Sequence, residues 1–161
     1  MTIQTGQPLP DVPLTVVDGG ERQNTRSGEL FAGRKVVMFA VPGAFTPTCS
    51  EKHLPGFVAR FDAFRARGFE VFCLSVNDAF VMQAWALAQG VPPGLKMLAD
   101  GNGEFTRALG LELDGSAYGM GLRARRFALV AEDGVVTSLA VEAPGEFRVS
   151  SAEAMLDTVG G

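Results

Sequence analysis

Only two cysteines, Cys49 and Cys73, and one histidine, His53, occur in the 161 residues. Two cysteines are too few for the disulfide framework of a small secreted protein. In a reducing compartment such a pair is expected to be catalytic, buried or redox-sensing. A lone histidine argues against a metal site: zinc draws three or four Cys, His or carboxylate ligands from short spacings, and no such cluster appears. Positive charge is also scarce. Fourteen basic residues face eighteen acidic ones, a net charge of -4, so the basic footprint that nucleic acid requires is missing. Long apolar runs are absent too. The longest, residues 36–41, falls far short of the roughly 20 residues that span a bilayer, so no membrane partner is expected. The first residues, MTIQTGQPLPD, have no basic start and no apolar stretch of the signal-peptide kind, which points to a cytoplasmic protein.

What is present is a buried globular composition, with 47% apolar and 20% charged residues. Disorder needs the reverse balance. The length suits one domain over residues 1–161, because two cores would each be marginal. The first thirty residues read as short strands and turns, with Leu14, Thr15, Val16 and Val17 running into an Asp18-Gly19-Gly20 turn. A short helical turn is expected over 29–32, stopped by Gly33. Residues 35–41 (KVVMFAV) are apolar on both faces and predict a central strand in a covered sheet. A helix then starts near Thr46, Pro47 and Thr48, with Thr48 and Glu51 at capping-box spacing. It runs to about Arg67 and buries Leu54, Phe57, Val58, Phe61 and Phe64, with a kink at Pro55.

Residues 70–76 (EVFCLSV) predict a second buried strand, followed by a helix capped by Asn77 or Asp78. That helix is expected to bury Val81, Ala84, Trp85 and Ala88. A third strand covers 95–99, and a short helix covers 104–109, closed by Gly110. Residues 126–131 and 135–141 form a hairpin around an Asp133-Gly134 turn. Ser150-Ser151-Ala152-Glu153 is a capping box opening a last helix. This order predicts an α/β domain with a mixed central sheet flanked by helices, of thioredoxin-like fold.

Cys49 falls just after a buried strand, in the first turn of a helix. First-turn amides lack intrahelical partners and the helix dipole there favours negative charge, so a thiol in that place is a candidate nucleophile. The bland alternative is a small residue closing the core. A helix terminus supplies only about 0.5–1 kcal/mol, so a reactive thiolate also needs a cation. His53 lies one turn on, but such a residue more often sits at a helix surface or core edge. The Arg123-Ala124-Arg125-Arg126 cluster is a better source, or else a solvated strand end. Cys73, within an apolar strand, reads as a buried inert thiol. The 100–104 turn lacks calcium-ligand spacing, and residues 119–121 (GMG) lack a phosphate-loop lysine. Neither C-x-x-C nor GxSxG occurs.

The segment Val41-Pro42-Gly43-Ala44-Phe45-Thr46-Pro47-Thr48-Cys49-Ser50, followed by His53-Leu54-Pro55-Gly56-Phe57, resembles the peroxidatic segment of the peroxiredoxins, type II branch (peroxiredoxin-five subfamily). Cys73-Leu74-Ser75-Val76-Asn77-Asp78-Ala79-Phe80-Val81, Leu98-Ala99-Asp100 and Arg125-Arg126-Phe127 follow in the order of that branch. The resemblance implies a thiol-dependent peroxidase that needs no cofactor or metal and takes hydrogen peroxide and organic hydroperoxides. Cys49 would be the peroxidatic thiolate that becomes a sulfenic acid. Thr46 would orient the peroxide, Pro42 would shield the thiolate, and Arg126 would be the missing cation. His53 and Glu51 would help hold the arginine or the helix start.

The same resemblance implies an antioxidant role in redox homeostasis and a reductant drawn from glutathione, glutaredoxin or thioredoxin. Cys73 is the possible resolving residue, unless an external thiol resolves Cys49. One branch of the family resolves from a cysteine just before the last helix, where this chain has Val149. Ala44, Phe45 and Phe80 would meet a second copy in a non-covalent homodimer. The sequence also admits three rivals: a dithiol exchanger, a non-catalytic thioredoxin-fold binding or chaperone-like protein, and a cysteine hydrolase built on Cys49 and His53.

Overall fold

The computed structural model describes residues 2–160. Among the described residues, nine strands and five α-helices follow one another: β1 (Pro13–Asp18), β2 (Glu21–Arg26), α1 (Ser27–Phe31), β3 (Lys35–Ala40), α2 (Leu54–Ala66), β4 (Glu70–Ser75), α3 (Ala79–Ala88), β5 (Lys96–Ala99), α4 (Glu104–Leu109), β6 (Glu112–Asp114), β7 (Leu122–Ala124), β8 (Phe127–Glu132), β9 (Val135–Val141) and α5 (Ala152–Gly160). Seven strands form one sheet in the order β2-β1-β5-β4-β3-β8-β9, while β6 and β7 make a separate two-stranded ribbon. β3, β4 and β5 are mutually parallel and the outer pairings are antiparallel. This is the mixed, helix-flanked sheet of the thioredoxin-like fold.

The period of two along each strand divides the core. Val37 and Phe39 of β3 join Val71, Cys73 and the apolar faces of α2, α3 and α5. Val36, Met38 and Ala40 join Phe31 of α1 and Phe105 and Leu109 of α4 on the other face. Both cysteines therefore lie on the α2 face. Asp133 (φ 49°) and Gly134 (φ 77°) make the tight turn joining β8 to β9.

Several expectations are corrected. β2 (ERQNTR) is a full edge strand, but its side chains are almost all exposed, so it carries no apolar pattern. The β6–β7 ribbon was likewise invisible in so short a sequence. α3 buries Met82 and Trp85, whereas Ala84 and Ala88 face outward. Its sequence, AFVMQAWALA, is apolar all round, so periodicity could not set the phase. Asp78 caps α3, accepting from the Val81 amide at 2.8 Å. Asn77 instead braces a loop, its Oδ1 accepting from the Ala44 amide at 3.0 Å.

The helix around Cys49 also differs from the capped α-helix expected. Cys49–His53 form a π-helical turn leading into α2, and Leu54 N–H donates to the Cys49 carbonyl. Thr48 makes no side-chain cap. The Thr46 hydroxyl turns back to the Gly43 carbonyl at 2.7 Å, while its own carbonyl accepts from the Ser50 amide. Pro55, which has no N–H to give, sits in the first α-helical turn, where none is needed. In α5 it is Ser151 that caps, accepting from the Ala154 amide at 3.2 Å. The Ser150 hydroxyl is committed elsewhere.

Candidate active site

Cys49 stands at the head of the long helix, directly beyond the central strand β3. It is fully buried and unpaired. The loop entering it is tight: Phe45 takes a left-handed conformation (φ 64°), unusual for a bulky residue. A side chain at Gly43 would press against the Thr46 methyl at 3.2 Å and an Arg123 guanidinium nitrogen at 3.3 Å, so both would have to shift to admit one.

Arg126, half-buried just before β8, reaches across to this loop. Its Nη2 donates to Cys49 Sγ at 3.2 Å and its Nη1 to His53 Nδ1 at 2.8 Å. A guanidinium nitrogen at this distance is a charge-assisted donor aimed at the sulfur. β8 pairs directly with β3, and this pairing carries Arg126 to the mouth of the strand that ends at the cysteine loop.

His53 is fully buried, not at the surface as expected from the sequence. It lies among Phe39, Phe57 and Phe147, at ring centroid distances of 4.9, 5.7 and 5.0 Å. The widened π turn carries it inward. Burial first and the Arg126 charge second push its pKa down from 6.5 to about 3. It is therefore a neutral imidazole. Because Nδ1 accepts from Arg126, the proton sits on Nε2, which donates to the Ser150 carbonyl at 2.9 Å. A neutral histidine with both nitrogens engaged is not the base of a cysteine hydrolase.

The other residues singled out divide cleanly. Pro42 is half-buried and lines a cleft of about 430 Å³ together with Thr48, Lys52, Arg126 and Phe147. Glu51 is exposed and makes no hydrogen bond or ion pair among the described residues. Arg123 braces loops, donating to the Met120 and Val76 carbonyls. Cys73 is fully buried in β4, opposite Phe39. Burial first, and the neighbouring Cys49 second, push its thiol well above 9.0. Among the described residues no group of three or more His, Cys, Asp or Glu is placed to hold a metal ion, and no helix is long and apolar enough to cross a membrane.

Two roles were not read from the sequence: that of Trp85 beyond its burial, and that of Glu142. Trp85 donates from Nε1 to the Ser50 hydroxyl at 2.9 Å, tying α3 to the turn that carries Cys49. Glu142, 7% exposed, collects the donors of the segment before α5. An acidic residue at the end of an otherwise apolar strand was its only sequence signal.

The redoxin family profile matches residues 4–156. The chain is 49% identical to the chloroplastic peroxiredoxin-2E of Arabidopsis thaliana, over 96% of this chain and 68% of that protein. It is 52% identical to the chloroplastic peroxiredoxin-2E-2 of rice (Oryza sativa subsp. japonica), over 96% of this chain and 72% of that one. Its backbone matches the crystal structure of reduced Prx3 in complex with H2O2 from Vibrio vulnificus with a TM-score of 0.92 and 50% identity, over 98% and 99% of the two chains. The cytoplasmic location expected from the first residues is overturned by the two plant relatives, which are chloroplastic. Targeting is read from dedicated segments, so the composition of a folded domain cannot report its compartment. A likeness this even, from the first strand to the last helix, settles descent: the chain belongs to the redoxin family, and is a peroxiredoxin-type oxidoreductase closely related to the type II branch.

Proposed function

We propose that Cys49 is the peroxidatic residue of a thiol peroxidase in which residues 1–161 work as one domain. The observation that carries this reading is the 3.2 Å contact between Arg126 Nη2 and a buried, unpaired sulfur at a helix start. The thiolate attacks one peroxide oxygen, an S–O bond forms as the O–O bond breaks, and the departing alkoxide or hydroxide takes up a proton. Arg126 stabilises the thiolate first and the departing oxyanion next. Thr46 offers its hydroxyl to the peroxide, and Pro42 screens the sulfur from water. His53 fixes Arg126 as a neutral acceptor, whereas exposed Glu51 contributes little. The cleft of about 430 Å³ beside Pro42 has room for an organic hydroperoxide as well as hydrogen peroxide.

We assign the return step to an external thiol, such as glutathione, glutaredoxin or thioredoxin. Cys73 sits in a central strand as a neutral thiol, and a thiol that is not ionised attacks sulfenic acid or disulfide sulfur poorly. Exposed Phe45 and Phe80, 55% and 70% accessible, favour a non-covalent homodimer through that face. A binding or chaperone-like protein on this scaffold would have no use for a guanidinium held on a buried sulfur. The test is single-turnover oxidation by one equivalent of hydrogen peroxide: wild type consumes it rapidly, and Cys49→Ser does not. Peroxide left intact by the wild type overturns the reading.

A further inference from the structure

Glu142 follows β9 immediately and is attached to Arg126 twice. Its backbone amide donates to the Arg126 carbonyl at 3.0 Å, extending the β8–β9 ladder by one step. Its side chain reaches the guanidinium by a longer route. One carboxylate oxygen, Oε2, accepts from the Arg148 amide at 2.8 Å, the Ser150 amide at 2.8 Å and the Ser150 hydroxyl at 2.6 Å. The Ser150 carbonyl accepts from His53 Nε2, and His53 Nδ1 accepts from Arg126. The path closes on itself: Glu142, Ser150, His53, Arg126 and back to Glu142.

A carboxylate with 7% exposure and no ion-pair partner among the described residues is costly unless it does something. Arg148, the nearest basic residue in the loop, gives its guanidinium to Glu146 instead, at 3.5 Å. Burial pushes the Glu142 carboxyl up, but the Ser150 hydroxyl and amide and the Arg148 amide more than offset it, so the net direction is down and the group stays ionised. An ionised oxygen can hold three donors at once, which a neutral acceptor does poorly. The three donors pin the backbone of Ser150, and with it the carbonyl that orients the buried imidazole. The loop between them is exposed except at Phe147, so on its N-terminal side Ser150 is held by the Glu142 carboxylate, while on the other side Ser151 caps α5.

We propose that Glu142 is a positioning residue of the peroxidatic centre: through Ser150 and His53 it sets the Arg126 guanidinium on Cys49 Sγ. This rests on the peroxidase reading above. Outer residues that orient the groups touching a reacting centre are commonly worth tenfold to a hundredfold in activity, at least at metal sites.

The test compares Glu142→Ala and Glu142→Gln with the wild type and with a control, Glu70→Gln. The control removes a carboxylate paired with Arg34 and Lys96 far from the site. Three readouts are taken: the single-turnover rate with hydrogen peroxide, the ultraviolet thiolate absorbance at neutral pH, and the Nε2–H proton resonance of His53. That resonance is unambiguous because the chain has one histidine. Buried Cys73 stays protonated at neutral pH, so the absorbance reports Cys49.

The expected result is a rate loss of about tenfold or more in Glu142→Ala, with partial recovery in Glu142→Gln. Thiolate absorbance falls, and the His53 proton loses its protection from solvent exchange. The direction of the absorbance change is decisive, because removing a nearby negative charge acting only through space would raise the thiolate fraction. Glu70→Gln keeps the wild-type rate and His53 signal. A Glu142→Ala rate within about twofold of wild type, or a rise in thiolate absorbance, overturns the proposal. If Glu142→Ala does not fold, Glu142→Gln is read against the same criteria. A wild type that leaves peroxide untouched fails earlier and separately, at the peroxidase reading itself.

Discussion

His53 Nδ1 lies 2.8 Å from Arg126 Nη1, and this contact fixes the tautomer of the imidazole. The guanidinium is a permanent donor, so the imidazole must accept and must be neutral. The only histidine of the chain thus holds the cation in place while contributing no charge of its own. The cation that a reactive cysteine requires comes from just before the neighbouring strand β8, 77 positions further along the chain.

Arg126→Gln is expected to slow single-turnover oxidation by about a hundredfold or more, the size typical for removing a donor aimed at developing negative charge. Stopped-flow mixing with hydrogen peroxide measures it. A loss of less than fivefold would mean that another group holds the thiolate.

The mass after one equivalent of peroxide, without reductant, should rise by about sixteen units, the signature of a sulfenic acid waiting for an external thiol. Loss of about two units together with both thiols would instead assign Cys73 as the resolving residue, after opening of the turn that holds Cys49.

His53 makes stability pH-dependent in a defined window. Its folded pKa of about 3 lies below the unfolded 6.5, so between these values the unfolded chain binds a proton that the folded chain refuses. Stability is full above the upper value and falls as pH drops through the window, by up to about 1.4 kcal/mol per pH unit. His53→Gln keeps an acceptor and a donor but cannot titrate. Denaturant melts of the two chains at neutral and mildly acidic pH should therefore show a steeper acid loss in the wild type. Parallel losses would refute this.

The Trp85–Ser50 hydrogen bond anchors the π turn. Ser50→Ala should cost about 1 kcal/mol in a denaturant melt. Trp85 is the sole tryptophan, so its emission should also change when Cys49 is oxidised and the turn shifts. Constant emission across a complete oxidation would show that the turn stays closed.

Phe80→Glu places charge on the exposed Phe80 position, beside Arg22, whose guanidinium lies 4.4 Å from the Phe80 ring centre. If the proposed homodimer uses this face, sedimentation of the variant should show less self-association than the wild type at the same concentration. Identical sedimentation would remove this face from the interface.

Much of this protein was readable along the chain, because local order was enough. The unbroken apolar run in KVVMFAV, the Asp133-Gly134 turn and the Gly110 stop each act over a few residues, and the structure has all three. Pro42, Thr46 and Cys49 share one tight segment, so their neighbourhood needed no fold to bring it about. The phase of α3 was not legible, since apolar residues ring that helix and only packing against β5 and β1 selects Met82 and Trp85. The partners of Cys49 were beyond local reach as well. Arg126 stands 77 positions away and Ser150 stands 97 from His53; only the pairing of β8 with β3, and of β9 with β8, sets them side by side. Sequence determined which residues could do chemistry, because composition and short spacings fix local geometry. The sheet order decided which of them touch, because contacts between distant segments depend on how the whole core closes.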